Sequence, residues 1–179
     1  RNLAFYEENP AGRQEARKAL GLLDDPEMLA FWMRGFEGRG EARLEAAEAL
    51  GRTYLFTHPE VQDAFLRILA NPSEDLEMRL GIACRLRDSM IFTPQTRQAC
   101  LDLLDPTNDP ALLQTAANTL MDMENKRCAD KGPSGLDQEI LGRLDRLLAQ
   151  TELPQDIREQ LQVRLKNLRE RPEFAIYLP

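Results

Sequence analysis

A single histidine, His58, stands in a chain of 179 residues, so a Ser-His-Asp or Cys-His nucleophilic arrangement has only one possible base. That base lies between Thr57 and Pro59, a helix-start setting, and the sequence nominates no nucleophile to sit beside it. Cysteine is scarce as well: Cys84, Cys100 and Cys128 form an odd set without a Cys-x-x-Cys pair, which argues against a disulfide framework and against a thiolate zinc site. Glycines never gather into a phosphate loop or dinucleotide fingerprint, and no HExxH motif occurs. No apolar run approaches the ~18 residues needed to cross a bilayer, and no signal-peptide pattern opens the chain. Basic residues are outnumbered 23 to 30. The deficit is local, since residues 56–125 hold 5 basic and 11 acidic residues and residues 126–179 hold 10 and 9. An acidic middle repels phosphate backbones and headgroups, which argues against nucleic acid and direct membrane contact.

What the chain does contain is a pattern that returns. Glu41 to Gly51 reads Glu-Ala-Arg-Leu-Glu-Ala-Ala-Glu-Ala-Leu-Gly, and weaker copies follow at Arg79–Leu86 and Leu113–Leu120. Ala47, Ala83 and Ala117 hold one register position and Leu50, Leu86 and Leu120 another, so the copies are spaced by 36 and 34 residues. That is the period of a two-helix repeat, in which each hairpin buries its apolar face against the next. Hydrophobic residues make up 42% of the chain and charged residues 30%, the balance of a globular, helix-rich domain able to bury a core.

Helix starts are marked by a capping residue followed by proline, whose missing N–H costs nothing in a first turn. The markers are Asn9-Pro10, Asp25-Pro26, His58-Pro59 after Thr57, Thr93-Pro94 and Asp109-Pro110. Thr57 with Glu60 has the form of a capping box. Further helices are expected near 2–8 and over 40–53, 74–90, 136–150 and 155–169, with Ser73 and Asp156 as caps, making ten helical segments. Paired in order they form hairpins: 26–36 with 40–53, 58–70 with 74–90, and 94–104 with 109–123. The Asp/Asn-Pro turns at 71–75 and 105–109 recur 34 residues apart. Leu29, Trp32, Met33 and Phe36 fall on one helical face and are expected in the core.

The segment Ala42–Gly51, preceded by a turn and followed by another helix, resembles the second helix of a HEAT or HEAT-like repeat, the phycobilin-lyase variant included. The resemblance covers about residues 10–123, and 136–170 by helix pattern alone. It implies an all-α, right-handed α-α superhelix of four to five hairpins spanning 1–179 as one domain. The later copies lose the glycine after Leu50. Function by fold analogy is a weak warrant, because such arrays chiefly bind other proteins and a few act as lyases.

These observations lead to an expected protein-interaction or assembly scaffold that is not an enzyme and needs no cofactor or metal. The partner is another protein, with a basic surface to meet the acidic one. The second helices would line a concave face presenting Arg43, Glu48, Arg52, Arg79, Asp88, Asn118 and Asp122. The alternative is an accessory enzyme or small-ligand binder of the lyase type, using the groove or Cys128. Asp105–Asp109 imitates the opening of a calcium loop, yet Pro110 and Ala116 replace its turn glycine and bidentate glutamate. Cys84 and Cys100 read as buried small hydrophobes. Cys128 falls in an expected polar loop inserted at 123–135, and the apolar tail 171–179 is expected to cap the last hairpin. Free thiols favour a reducing, cytoplasmic setting. A periplasmic or membrane-anchored domain is the alternative, because Arg1 opens the chain and Asn2–Glu8 reads as the tail of a helix.

Overall fold

The computed structural model describes residues 26–51, 54–131, 136–150 and 152–170, and among these every regular element is helical. The helices are α1 (Pro26–Phe36), α2 (Glu41–Gly51), α3 (Pro59–Ala70), α4 (Leu76–Asp88), α5 (Pro94–Leu103), α6 (Pro110–Lys131), α7 (Gln138–Leu148) and α8 (Gln155–Glu170), with one 3-10 turn at Tyr54–Thr57. Pro26, Pro59, Pro94 and Pro110 each take the first helical position, as their fixed φ and absent N–H favour. The helices expected at 2–8 and from Pro10, the tail 171–179, and Arg52 lie outside the described residues.

Three of the caps fall one or two residues away from expectation, and that of α5 falls where expected. The cap of α3 is His58, and its side chain makes no cap bond; Glu60 is then one position short of the box with Thr57. Asp75, not Ser73, caps α4, its Oδ1 accepting from the N–H of Glu77 at 2.8 Å and of Met78 at 3.3 Å. Thr93 caps α5 through the N–H of Thr96 at 3.1 Å. Asp156 lies inside the first turn of α8, where a carboxylate complements the positive helix end. The largest departure is α6, which continues past 123 to Lys131. Met123–Lys131 holds no glycine or proline and consists of helix-compatible residues; the helix ends where Gly132-Pro133 follows.

Contacts divide the chain into two units, Arg1–Arg85 and Leu86–Pro179, with the division inside α4. In the first, α1 packs on α2. Gly40, at φ 64°, makes the turn between them and accepts the N–H of Arg43. The core centres on Trp32, Phe56, Phe65, Leu50 and Leu55, all nearly inaccessible. The Phe65 ring lies 5.3 Å from that of Phe36 and 5.6 Å from that of Phe56, within the range of favourable aromatic pairing. Small residues set the approach of the second helices: a Cβ on Gly51 of α2 would meet Arg85 Cγ of α4 at 2.7 Å and its Cβ at 2.8 Å.

In the second unit α5 packs on α6, and α8 packs on both α6 and α7. Ala116, Ala117, Leu120, Leu161, Leu165 and Leu168 are buried there. The two second helices are thus neighbours, while Arg97 of α5 reaches Asp137 and Glu139 at the start of α7.

One device recurs in each described hairpin. A side chain in the first turn of the second helix, or just before it, donates to a carbonyl at the end of the first or in the turn that follows it. Arg43 Nε meets Phe36 O at 3.1 Å, Arg79 Nε meets Leu69 O at 3.2 Å, Asn108 Nδ2 meets Leu103 O at 3.3 Å, and Arg158 meets Gln150 O and Leu153 O. These bonds satisfy carbonyls that a helix end leaves without partners, and three of the four bring a cation to the negative end of the dipole.

Candidate functional site

The seven residues expected on a displayed face separate into different environments. Arg79 is withdrawn from the surface, 8% exposed with its guanidinium on the Leu69 carbonyl, and so is not presented to a partner. Arg43 is occupied as well: besides Phe36 O, it grips both carboxylate oxygens of Glu74 at 2.7 and 2.9 Å and lies 5.7 Å from the Phe36 ring centroid. Glu48 faces Arg85 at 3.8 Å. Asp88 ends α4 and is exposed. Arg52 lies outside the described residues. Only Asn118 and Asp122, one turn apart on α6, are brought together.

Arg43 and Glu74 form the better-defined pair of the first unit. The hydrogen bonds from Arg43 hold the Glu74 carboxyl below its ordinary range, against a smaller upward push from burial. A depressed folded value contributes stability that is present above the unfolded pKa and is lost as pH falls through the folded one. Arg43→Met is therefore expected to be less stable than wild type by about 1 kcal/mol near neutral pH, with the gap closing in acid. Urea melts of both proteins across pH would check this; a gap that stays constant into acid would remove Glu74 from the account.

Asn118 borders an open groove of about 610 Å³ in the second unit, lined also by Arg87, Gln114, Thr115, Glu159, Gln160, Val163 and Arg164. Asp122 holds two of these lining residues, accepting from Arg87 Nε at 3.0 Å and Arg164 at 2.6 Å, with its side chain 15% exposed. Gln114 Nε2 donates to Gln160 Oε1 across the groove at 2.7 Å. Val163 is 59% exposed there, a large apolar side chain in water. The buried Oδ1 of Asn118 has no hydrogen-bond partner, an uncommon condition for a buried acceptor. The arginines that occupy Asp122 were not singled out by the sequence reading. Arg87 stands 35 residues before Asp122, one repeat away, so pairing opposite charges across one period would have found it; Arg164 stands 42 after it, off that period.

A second depression, of about 330 Å³, is lined by Phe92, Arg97, Met123, Glu124, Lys126, Arg127, Asp137 and Ile140. Glu124 is 2% exposed and fully engaged: Arg127 binds both its oxygens, and the N–H of Asp137 donates to Oε2 at 2.6 Å. Burial pushes the Asp137 carboxyl up, but Arg97 and the N–H groups of Glu139 and Ile140 outweigh this and leave it lowered. Met90, at φ 53°, is the non-glycine residue in the left-handed region among those described, a conformation that costs about 1–3 kcal/mol. Its carbonyl accepts from Lys126 Nζ at 3.0 Å, which lies 5.7 Å from the Phe92 ring centroid.

Cys100 is buried as expected, whereas Cys84 and Cys128 are placed differently from expectation. Cys84 is exposed on α4, whereas Cys100 and Cys128 are buried. Cys128 lies within α6, not in a loop. Burial pushes the Cys100 thiol up to about 12; burial, and then the Glu124 carboxylate, raises that of Cys128. Since the thiolate is the reacting form, Cys84 is expected to be alkylated rapidly in the native protein, and Cys100 and Cys128 only on unfolding. Mass-spectrometric mapping after brief iodoacetamide treatment reads this directly, and early label on Cys128 would contradict it.

Among the described residues no group of three or more His, Cys, Asp or Glu side chains is arranged to hold a metal. Asp105 instead closes its own turn, accepting from Thr107 N at 2.9 Å and Thr107 Oγ1 at 2.6 Å, and Asp109 accepts from Ala111 N at 2.8 Å. No described helix is long and apolar enough to cross a membrane. Fold and grooves together define a class: over the described residues, an all-α protein of successive helical hairpins with open surface grooves. Compared with protein-family models, curated proteins and solved structures, the chain matches none.

Proposed function

We propose that this chain is a right-handed α-solenoid of HEAT-like hairpins that serves as a protein-interaction or assembly scaffold, with its partner lying along the second helices. The observation that carries this reading is the open groove between α6 and α8, with polar walls and a single exposed apolar side chain, Val163. Polar lining with one apolar anchor is the composition of a protein-contact surface, where a buried anchor supplies energy and the rim supplies specificity. Supporting the repeat are the common spacing of the alanine and leucine positions and the side-chain cap that returns in each hairpin. Asp122 is neutralised by two arginines, so the attraction for a basic partner rests on exposed carboxylates such as Glu159 and Asp88.

A photo-crosslinking amino acid at position 163, compared with one at position 67 on the exposed side of α3, tests the reading in cells. One protein captured at 163, absent at 67, and lost when Gln160→Arg is added supports groove docking. No capture at 163, or the same capture from both positions, overturns it.

A further inference from the structure

We infer that the depression walled by Phe92, the C-terminal half of α6 and the start of α7 is a binding site for a small organic carboxylate with an apolar body. Three cations line it, Arg97, Lys126 and Arg127, against two carboxylates, Glu124 and Asp137. Both carboxylates are already satisfied. Glu124 receives Arg127 on both oxygens and the Asp137 N–H on Oε2. Asp137 receives Arg97 on Oδ2 and the N–H groups of Glu139 and Ile140 on Oδ1. Each is answered by a guanidinium, so neither presents an unscreened charge to an anion.

Lys126 differs from the two arginines. An ammonium carries three donors, and the described bonds use one, on the Met90 carbonyl at 3.0 Å; no carboxylate among the described residues pairs with it. The left-handed backbone at Met90 aims that carbonyl at the ammonium and so fixes it near the Phe92 face. Around this cation the remaining walls are apolar: Phe92, Met123 and Ile140. Arg97 is answered by Asp137 and Glu139 and Arg127 by Glu124, so Lys126 is the cation of the lining left without a carboxylate partner among the described residues. One such cation beside an apolar wall matches a monoanion with a hydrocarbon or aryl body. A phosphate dianion would leave charge unmet. The volume of about 330 Å³ falls at the lower end of the ~300–1,000 Å³ of small-molecule pockets. The same chemistry is carried by a free acid and by the terminal carboxylate of an apolar peptide.

The test uses the whole chain, isotopically labelled, titrated with 3-phenylpropionate, with N-acetylphenylalanine as the peptide-terminus arm, and with 3-phenylpropionamide as the neutral control. Saturable shifts at Phe92, Lys126 and Ile140 are expected for at least one acid, with the amide binding about ten-fold more weakly, the worth of one charge-assisted contact. The acid that binds more tightly identifies the source. Lys126→Met should weaken binding about ten-fold and Lys126→Arg should restore it, since Arg keeps the charge and donors. The inference is overturned if neither acid shifts these residues at up to ~10 mM, far above any useful affinity, or if the amide binds as well as the acids. It is equally overturned if Lys126→Met, shown folded by circular dichroism, binds undiminished. These outcomes do not depend on the α6–α8 groove, which the crosslinking experiment addresses separately.

Discussion

Phe65→Ala should be the most damaging single substitution in the first unit, costing about 3–5 kcal/mol. Phe65 is fully buried and stands between the rings of Phe36 and Phe56, so truncation removes both aromatic contacts and leaves a cavity among side chains held from two helices and the 3-10 turn. The surroundings have little freedom to collapse into it, because Trp32, Leu50 and Leu55 nearby are themselves buried with 0% exposure. Trp32 is the one tryptophan of the chain and lies in the same unit, so its fluorescence in a urea titration reports the loss where it occurs. Phe65→Leu keeps most of the volume and should cost about 1–1.5 kcal/mol. A midpoint for Phe65→Ala within ~0.5 kcal/mol of wild type, the range of ordinary surface changes, would show that this aromatic cluster is not the centre of the unit.

Asp122→Ala should be the second large effect, destabilising by about 2–4 kcal/mol. The mechanism is the loss of a shared acceptor. Arg87 and Arg164 both turn their guanidinium groups to Asp122, whose side chain is 15% exposed, and without it two cations face each other with no anion between them. An exposed ion pair is worth about 0–1 kcal/mol; partial burial and the second arginine raise the expectation here. Arg164→Met alone should cost less, since Asp122 keeps Arg87. A double-mutant cycle between Asp122→Ala and Arg164→Met should return a coupling of about 1 kcal/mol or more, whereas additivity would mean that the pair contributes nothing.

Helix positions were legible in the sequence wherever local chemistry alone decides them. Pro26, Pro59, Pro94 and Pro110 open helices because a proline's constraint acts within one turn. The buried alanines at 46, 47, 83, 116 and 117 were readable because small residues at a fixed interval have few other uses. Surface assignment was less legible, since it depends on which side chain reaches across to which. Arg79 looked like a displayed cation and is a buried cap. Cys84 looked like core and is exposed, because α4 is apolar on other positions, Met78, Ile82, Ala83 and Leu86. The polar stretch 123–131 read as a loop, yet it is helix whose polarity is turned inward: Glu124 and Asn125 are 2% and 1% exposed. Hydropathy patterns report water-facing polarity, and a buried carboxylate answered by Arg127 and a backbone N–H breaks that rule without leaving a trace in composition.

The recurring cap across each hairpin has a consequence for how such a chain can change. Because Arg43, Arg79, Asn108 and Arg158 each fasten the second helix to the end of the first, the angle at the joint is set by a side chain reaching over the turn and not only by the residues within it. The turns are thereby released to vary in length and wording while the helices they join keep their pose. Each hairpin behaves as a cassette with its own clasp, and hairpins could be exchanged or duplicated along the chain as long as the clasp travels with them.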